Sequence, residues 1–349
     1  MIRLRERLRA ALERRITRLW YGGPREAGNA ALIALLSPLS ALVGRIARRR
    51  RARLRRLPAG QVPAIVVVGN LVAGGTGKTP ATLALARTLS QRGWRVGLLA
   101  GGYRARHGDA RMVGPQADAS EHGDEAVLLA RESALPVAAG RRRDLALDVL
   151  LRAHPGLDVV LSDDGLQHRW LPRSVEIAVF DARGAGNGRL LPAGPLREPL
   201  AHAATMDALL LNGSAPAPLP APRAFRFRVE PVAVRRLADG RRVDPAEFVR
   251  LAGTGRVAAL AGMAQPRRFF DTLGSLGIRA EEHPLPDHAA IDPALLASID
   301  APLLVMTAKD AVKCERFADR RAWVLEIEAR LENAFVDWLE ERLRGQPTA

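Results

Sequence analysis

The chain has 349 residues, enough to bury a large core, and this length predicts two domains. Its formal charge is +16, but the first 60 residues hold sixteen arginines and three glutamates, so +13 of that charge lies at the N-terminus. The single cysteine, Cys314, excludes an internal disulfide and suits a reducing compartment. Arginine outnumbers lysine fifty to three, a chain-wide bias that limits any argument from arginine alone.

The N-terminal segment, residues 1–58, mixes arginines with apolar residues. Apolar side chains recur at mostly helical spacing over residues 2–20, and residues 30–44 are uncharged and mostly apolar. The second run is shorter than the roughly 20 residues that a spanning helix needs, Pro38 interrupts it, and no clear small-x-small cleavage site follows it. These features predict a helical segment that lies peripherally in a membrane interface, with its arginines on anionic headgroups.

Two alternatives stay open for this segment. A core helix with a solvated basic flank would carry the same short apolar run. Arginine runs also suit the phosphates of nucleic acids. The uncharged block beside the arginines favours the membrane, so we expect no nucleic-acid partner.

The stretch from Ala64 to Pro80 predicts a buried strand, a glycine-rich turn and a helix that begins near Pro80. In such a loop, backbone N–H groups turn toward a polyphosphate, and the helix N-terminus adds positive charge. Lys78 would reach the β- and γ-phosphates of ATP, and the Thr79 hydroxyl would ligate Mg²⁺. The usual motif has glycine where this chain has Val72, so an incidental Gly-Lys-Thr in a glycine-rich turn is the alternative. The predicted ATP-binding residues are Val72, Ala73, Gly74, Gly75, Thr76, Gly77, Lys78 and Thr79.

Further apolar runs predict strands that alternate with helices. This alternation is typical of a parallel, doubly wound sheet, whose ligands bind at the carboxyl edge of the strands. The flexible, basic loop Gly101–Arg104 follows one strand at that edge. After the strand in the phosphate-loop stretch, strands are predicted over residues 96–100, 157–162, 175–181 and 206–211.

Acidic residues occur at two points of this predicted core. Asp163 and Asp164 follow an apolar strand, where a nucleoside triphosphatase holds magnesium, and adjacent carboxylates are costly without a cation nearby. A strand-end turn is the alternative. Asp124 precedes a helical run over residues 126–134, so its carboxylate is a helix N-cap, faces the nucleotide site, or does both.

A proline-rich segment separates the core from the rest of the chain. Residues 214–223 predict a semi-rigid connector. Strands are predicted after it over residues 225–234, 257–262, 303–307 and 323–327, and an amphipathic helix with core aromatics over residues 331–343. The predicted fold is therefore α/β: a P-loop NTPase-type doubly wound parallel sheet, a second, smaller α/β lobe, and the N-terminal membrane-associated helices. The predicted boundaries are 1–58, 59–213, 214–224 and 225–349.

Several short motifs occur together along the chain: Gly69-Asn70 with Gly74–Pro80, Gly123–Glu125, Asp163–His168, Gly186–Gly188, Leu191–Glu198, Pro286–His288 and Thr307–Cys314. Taken together, these motifs resemble the tetraacyldisaccharide 4′-kinase family, the lipid A kinases of Gram-negative bacteria. The family also lacks glycine at the position of Val72. This chain departs from the family pattern at Gly101-Gly102-Tyr103, where Ser-Arg-Gly-Tyr is expected, at Ala308, usually Glu, and in the turn Gly262–Pro266.

The resemblance implies transfer of the γ-phosphate of ATP to the 4′-hydroxyl of a tetraacylated glucosamine disaccharide 1-phosphate. It also implies a protein on the cytoplasmic face of the inner membrane, where this acylated substrate lies. An Asp–His pair that acts on the acceptor maps to Asp124 and His288, with Lys78 on the phosphates. Expected magnesium ligands are Thr79, Asp163 and Asp164, and expected phosphate or substrate contacts are Arg141, Arg143 and Arg197.

Two other classes of function remain as alternatives. A nucleic-acid-associated P-loop ATPase with a basic arm would show ATPase activity stimulated by DNA or RNA. A non-catalytic membrane tether would have a degenerate phosphate loop, which the intact Lys78, Thr79 and paired aspartates speak against.

Overall fold

The computed structural model describes residues 12, 15–22, 29–58, 60, 62–102, 109–214 and 219–345. The apolar pattern over residues 2–20 lies mostly outside these residues; within it, residues 15–20 are helical. Residues 103 and 104 of the predicted basic loop, and residues 215–218 of the proline-rich segment, also lie outside them.

The uncharged N-terminal run lies within one long helix, α1 (Asn29–Arg51), which continues through Pro38. The expectation that Pro38 interrupts the segment is therefore wrong. The helix extends beyond the apolar run into the arginines, and its 23 residues make it long and apolar enough, by length and composition alone, to cross a membrane. Its buried residues are small: Ser40, Gly44 and Ala47. A narrow buried face of this kind does not fit the alternative of a core helix.

Small residues let α1 pack closely against the loop that follows the sixth strand. The Ser40 hydroxyl donates to the carbonyl of Leu190 at 2.9 Å, and the backbone N–H of Ala193 donates to the same hydroxyl at 3.3 Å. A Cβ on Gly44 would come within 2.8 Å of a Leu190 methyl group. The opposite side of α1 is exposed, including Leu35, Leu39, Leu42 and Ile46.

A buried ion network ties the chain after α1 to the sheet. Glu176 and Arg173 are both fully buried and pair at 2.8 Å, while Arg51 and Arg56 reach the same carboxylate at 2.8 and 2.9 Å. Burial alone would raise the pKa of Glu176, but the three guanidinium groups hold the pKa below its ordinary value. Part of the basic run therefore binds the protein rather than headgroups, because Arg51 and Arg56 point at Glu176.

The described strands are β1 (Ala64–Gly69), β2 (Val96–Ala100), β3 (Arg111–Met112), β4 (Val137–Ala139), β5 (Val159–Asp163), β6 (Val175–Asp181), β7 (Ala208–Asn212), β8 (Ala224–Arg236), β9 (Arg242–Val243), β10 (Val257–Ala261), β11 (Glu281–Pro284), β12 (Leu303–Thr307) and β13 (Ala322–Leu331). They form one continuous, mostly parallel sheet in the order β11-β10-β12-β13-β8-β7-β6-β1-β5-β2-β4-β3, with β9 paired to β8. β-branched and other apolar residues dominate its central strands, as expected for strands buried on both faces.

Helices cover both faces of this sheet. The phosphate-loop helix starts at Lys78, two residues earlier than expected, so Pro80 falls inside its first turn. After α1, the described helices are α2 (Lys78–Gln91), α3 (Ala119–His122), α4 (Asp124–Ser133), α5 (Arg143–Ala153), α6 (Pro245–Ala252), α7 (Pro266–Ser275), α8 (Pro293–Ser298), α9 (Ala308–Cys314) and α10 (Asn333–Leu343), with a 3₁₀ turn over Leu200–Thr205.

The long strand β8 joins two halves of the sheet. It pairs in parallel with β7 and antiparallel with β13, and each half has separate hydrophobic clusters on its two faces. The predicted α/β class, with a doubly wound parallel sheet and a smaller lobe, is confirmed. The final helix α10 buries Phe335 and Trp338, but it does so against the cluster of the larger half, beside Leu89 of α2.

Candidate active site

The phosphate loop joins β1 to α2 at the carboxyl edge of the sheet. Gly74 and Gly77 adopt positive φ angles of 103° and 95°, a conformation that glycine reaches without a steric penalty. Side chains from outside the loop hold its carbonyl groups: Asn70 donates to Gly74 at 3.0 Å, and Asn212 donates to Thr76 at 3.2 Å.

Two arginines bind the carbonyl group of Gly75, which lies between those of Gly74 and Thr76. The Gly75 oxygen accepts from Arg183 at 3.2 Å and from Arg268, in the smaller lobe, at 3.1 Å. Both arginines also bind the buried carboxylate of Asp181, at 2.7 and 2.5 Å. Side chains therefore bind three successive carbonyl groups of the loop. This arrangement leaves the backbone N–H groups of the loop to bind an anion.

Lys78 and Thr79 begin α2 opposite the paired aspartates. The Thr79 hydroxyl donates to Asp163 at 2.8 Å, and Thr82, one turn later, donates to the other oxygen of Asp163 at 3.0 Å. The Lys78 ammonium lies 3.6 Å from Asp164, and Arg197 lies 3.3 Å from the same carboxylate. The two aspartates are therefore placed differently: Asp163 accepts hydroxyl groups and Asp164 pairs with cations.

The electrostatics of the two aspartates differ in the same way. Burial raises the pKa of Asp163 to about 6, since the nearby Lys78 does not fully offset the loss of water. Burial would also raise the pKa of Asp164, but Lys78 and Arg197 hold that pKa below its ordinary value. A cation beside Asp163 would favour its charged form.

The donors at this point fit a magnesium ion bound together with a nucleotide. Among the described residues, no group of three or more His, Cys, Asp or Glu side chains could hold a metal ion by itself. One hydroxyl and two carboxylates lie together instead, and a nucleotide supplies further oxygen ligands through its phosphates. Oxygen donors of this kind suit a hard cation.

Asp124 and His288 meet across the two lobes. Asp124 starts α4 and His288 lies in the loop after β11, and the Nδ1 atom of His288 is 2.9 Å from the Asp124 carboxylate. The N-cap of α4 is Gly123 rather than Asp124, so the proposed capping role is corrected. Asp124 still accepts the N–H of Glu125 at 2.9 Å.

Two lysines of α9 surround this pair. The Lys309 ammonium is 3.4 Å from Nε2 of His288 and pairs with Glu125 and Asp287 at 3.1 and 3.2 Å. The Lys313 ammonium lies 3.8 Å from Asp124. Burial would raise the pKa of Asp124, but the His288 hydrogen bond and both lysines hold the pKa below its ordinary value. Asp124 is therefore a carboxylate at neutral pH.

The three candidate arginines occupy different positions. Arg141 is exposed and lines the cleft, and Arg197 pairs with Asp164. Arg143 is buried and donates to the carbonyl groups of Gly140 and Asp163 at 2.8 and 3.1 Å. Arg143 therefore stabilises the backbone beneath the aspartates, although its side chain borders the same cleft.

Backbone strain coincides with this region. Among the described residues, three that are not glycine have φ between 49° and 58°, and two of them are Asp164 and His288. The third, Ala134, ends helix α4. Left-handed backbone at residues other than glycine persists where the surrounding structure imposes it, most often at functional sites.

One cleft of about 1330 Å³ joins these groups. It exceeds the usual size of a site for one small ligand. The phosphate loop and Asp164 line it from the larger lobe, while His288 and Lys309 line it from the smaller lobe. The fold and this site together define a P-loop nucleotide-binding protein with a second set of acid–base groups facing its phosphate loop.

Comparison with known proteins gives the family. A family model described as "Tetraacyldisaccharide-1-P 4'-kinase" matches residues 32–344. The chain is 44% identical to the tetraacyldisaccharide 4′-kinase of Dechloromonas aromatica (strain RCB), over 97% of this chain and all of that protein. It is 45% identical to the enzyme of the same name from Bordetella parapertussis, over 96% and 98% of the two chains. The chain belongs to the tetraacyldisaccharide-1-P 4′-kinase family.

A solved structure agrees with this assignment. The crystal structure of LpxK from Aquifex aeolicus in complex with ATP covers 89% of this chain and 99% of its own, with a TM-score of 0.72 and 27% identity. The predicted resemblance to the family is confirmed, and the match to an ATP complex supports the use of ATP as the nucleotide.

Several residues of the site had no role in the sequence analysis. Asn212, Arg183 and Arg268 contact the phosphate loop from 136, 108 and 193 residues away, and no local pattern marks them. Lys309 and Lys313 were part of the run Thr307–Cys314 that resembles the family. The resemblance to the family was the available signal for these two lysines, and it assigned neither of them a chemical role.

Proposed function

We propose that this chain is an ATP-dependent kinase that transfers the γ-phosphate of ATP to the 4′-hydroxyl of a tetraacylated disaccharide 1-phosphate, a lipid A precursor. The observation that carries the proposal is the Asp124–His288 pair at 2.9 Å, because His288 lines the same cleft as the phosphate loop. A nucleotide-binding site needs no such pair, whereas transfer to an alcohol needs a group that accepts its proton. The names of the family and of its members supply the acceptor.

On the nucleotide side, the chain binds and orients the triphosphate. The loop amides and the Lys78 ammonium hold the phosphate oxygens, as the positive end of α2 favours. Thr79, Asp163 and Asp164 would hold magnesium. The chemistry that magnesium would supply there is neutralisation of negative charge on the phosphates. Arg197 lies beside Asp164, where its charge reaches either substrate.

On the acceptor side, Asp124 accepts the proton of the 4′-hydroxyl. His288 donates through Nδ1 to the carboxylate and so fixes its orientation. The Lys309 ammonium lies 3.4 Å from Nε2 of His288, where it donates to that nitrogen when the ring proton is on Nδ1. The lysines and His288 come from the smaller lobe, so closure of the lobes assembles the base.

The membrane brings the acylated acceptor to this cleft. The exposed face of α1 offers Leu35, Leu39, Leu42 and Ile46 to the acyl boundary, and Arg45, Arg48 and Arg49 are exposed on the same helix. We propose peripheral binding to an anionic surface on the cytoplasmic side, since ATP and a reducing compartment are found there.

A transfer assay tests this function. We expect purified protein to move ³²P from [γ-³²P]ATP to the disaccharide 1-phosphate lipid in mixed micelles, with magnesium required. Hydrolysis of ATP that DNA or RNA stimulates, with no labelled lipid, would instead support the nucleic-acid-associated ATPase. Nucleotide binding without transfer or hydrolysis would support a tether.

A further inference from the structure

One exposed tryptophan carries two guanidinium groups on its ring. The side chain of Trp170 is 53% exposed, the Cζ atom of Arg169 lies 4.4 Å from the ring centroid, and that of Arg142 lies 5.4 Å from it. Leu145, three residues after Arg142 on α5, is 46% exposed. We call Arg142, Leu145, Arg169 and Trp170 the tryptophan patch.

The charge of this patch is basic, with a defined acidic edge. Arg142 pairs with Asp144, whereas Arg169 has no acidic partner among the residues that the structure describes. Asp148 is exposed one turn beyond Leu145 and bounds the patch on α5. The ring attracts both guanidinium groups through its face, so the patch presents apolar surface and positive charge together.

The tryptophan patch lies next to the segment that follows α1. Trp170 belongs to the loop between β5 and β6, and Arg173 of that loop exchanges backbone hydrogen bonds with Arg55 and Leu57 at 3.0 and 2.8 Å. Leu166 and Gln167 of the same loop line a small cavity against α1, opposite Val43 and Ile46.

The patch also borders the mouth of the active-site cleft. His168, two residues before Trp170, lines the cleft, and so do Arg141 and Arg143 on either side of Arg142. The tryptophan patch is therefore adjacent in the chain to residues that line the cleft.

We propose that the tryptophan patch is a second membrane contact, which sits in the headgroup region of an anionic bilayer while α1 enters the acyl boundary. This inference rests on the membrane binding proposed above. Tryptophan prefers the headgroup level of a bilayer, where its apolar ring meets the acyl chains and its N–H meets water. Arginine binds lipid phosphates at the same level. With two contacts, the protein holds its open cleft toward the bilayer in one orientation and does not rotate about α1.

A bilayer fits this patch better than the other partners. A stable protein interface buries about 800 Å² on each partner, which one tryptophan and one leucine do not provide. Continuity with the exposed face of α1 gives a bilayer the additional area. Single-stranded nucleic acid also stacks on tryptophan, and its binding is an outcome that the test separates.

Vesicle sedimentation of the full chain tests the proposal with Trp170→Ala and Arg169→Gln. With vesicles of phosphatidylcholine and phosphatidylglycerol, we expect Trp170→Ala to weaken binding at least tenfold, because about 100 Å² of apolar surface, roughly half of a tryptophan, leaves the interface. We expect Arg169→Gln to weaken it about fivefold, and to have little effect with phosphatidylcholine alone. The matched control is Phe317→Ala, an exposed aromatic in the smaller lobe, which should bind as the wild type does.

Quenching by brominated lipid gives a readout that does not depend on affinity or on kinase activity. Saturating brominated vesicles should quench the wild-type fluorescence more than that of Trp170→Phe. Equal quenching of the two proteins, or unchanged sedimentation of Trp170→Ala, would overturn the proposal. So would weaker binding of Trp170→Ala to an oligonucleotide with unchanged vesicle binding. A failure of the kinase assay leaves these two measurements intact, so the two proposals fail separately.

Discussion

The phosphate loop lines the same cleft as His288 of the Asp124–His288 pair, but the loop and the pair are assembled over very different distances along the chain. The loop is one contiguous stretch between a strand and a helix, and its glycines and its helix start are local features. The pair joins residues 164 positions apart, and the lysines around it come from a third segment. The loop is therefore built within the larger lobe and receives one contact from Arg268 of the smaller lobe, whereas the pair requires residues of both lobes.

This difference assigns binding and chemistry to different parts of the molecule. In the proposed mechanism, nucleotide affinity depends on amides, an ammonium and a helix terminus of the larger lobe, with one supporting contact from Arg268 of the smaller lobe. Proton transfer in that mechanism depends on Asp124 together with groups of the smaller lobe. A variant at the phosphate loop should therefore change ATP affinity, and a variant at the Asp124–His288 pair should change kcat. Variants that change both quantities would contradict this division.

The largest effect is expected from Asp124→Asn. This change keeps the shape of the side chain and removes the proton acceptor, so kcat should fall by about 10²- to 10⁴-fold, the usual contribution of general base catalysis. ATP affinity should stay within about twofold, because Asp124 does not belong to the phosphate loop. Steady-state kinetics and nucleotide titration measure the two quantities. A kcat near that of the wild type would show that another group accepts the proton.

A smaller effect is expected from Lys309→Met, which keeps the apolar stem and removes the ammonium. The ring of His288 loses the donor at Nε2, and kcat should fall about tenfold, the size of one displaced charged hydrogen bond. Lys309 also lowers the pKa of Asp124, so its removal raises that pKa. Because the base works as a carboxylate, the acid limb of the kcat profile should move to higher pH.

The pH profile and a rescue variant separate positioning from structure. Lys309→Arg keeps the positive charge and should leave the acid limb near its wild-type position. A limb that stays in place in Lys309→Met, with the same loss of kcat, would mean that Lys309 acts only by packing. Thermal unfolding of each variant checks that the fold persists.

The smallest effect is expected from Asn212→Ala, on the other side of the comparison. The Thr76 carbonyl loses a side-chain donor, and the phosphate loop loses about 1 kcal/mol of support, so ATP affinity should fall about fivefold. The kcat at saturating ATP should change little. Isothermal titration of an ATP analogue gives the affinity, and Ser214→Ala, two residues further along, is a nearby control. A loss confined to kcat would place Asn212 in the chemistry instead.

Much of this protein follows from its sequence. The apolar runs of β1, β2 and β6 have the lengths and β-branched residues of buried parallel strands, and the glycines before Lys78 are typical of a phosphate-binding turn between a strand and a helix. The adjacent Asp163 and Asp164 at a strand end indicate the same site. These features are local, because periodicity and loop chemistry act over a few residues.

The tertiary structure decided the rest. No local pattern shows that Arg183 and Arg268 meet at the Gly75 carbonyl, that Arg51 and Arg56 bind a buried glutamate instead of headgroups, or that α10 packs on the larger half. Each of these contacts joins residues far apart, and each depends on which strand lies beside which in the sheet. The sequence determines which charged side chains are present. Packing determines their partners, because burial and distance decide which pairs form.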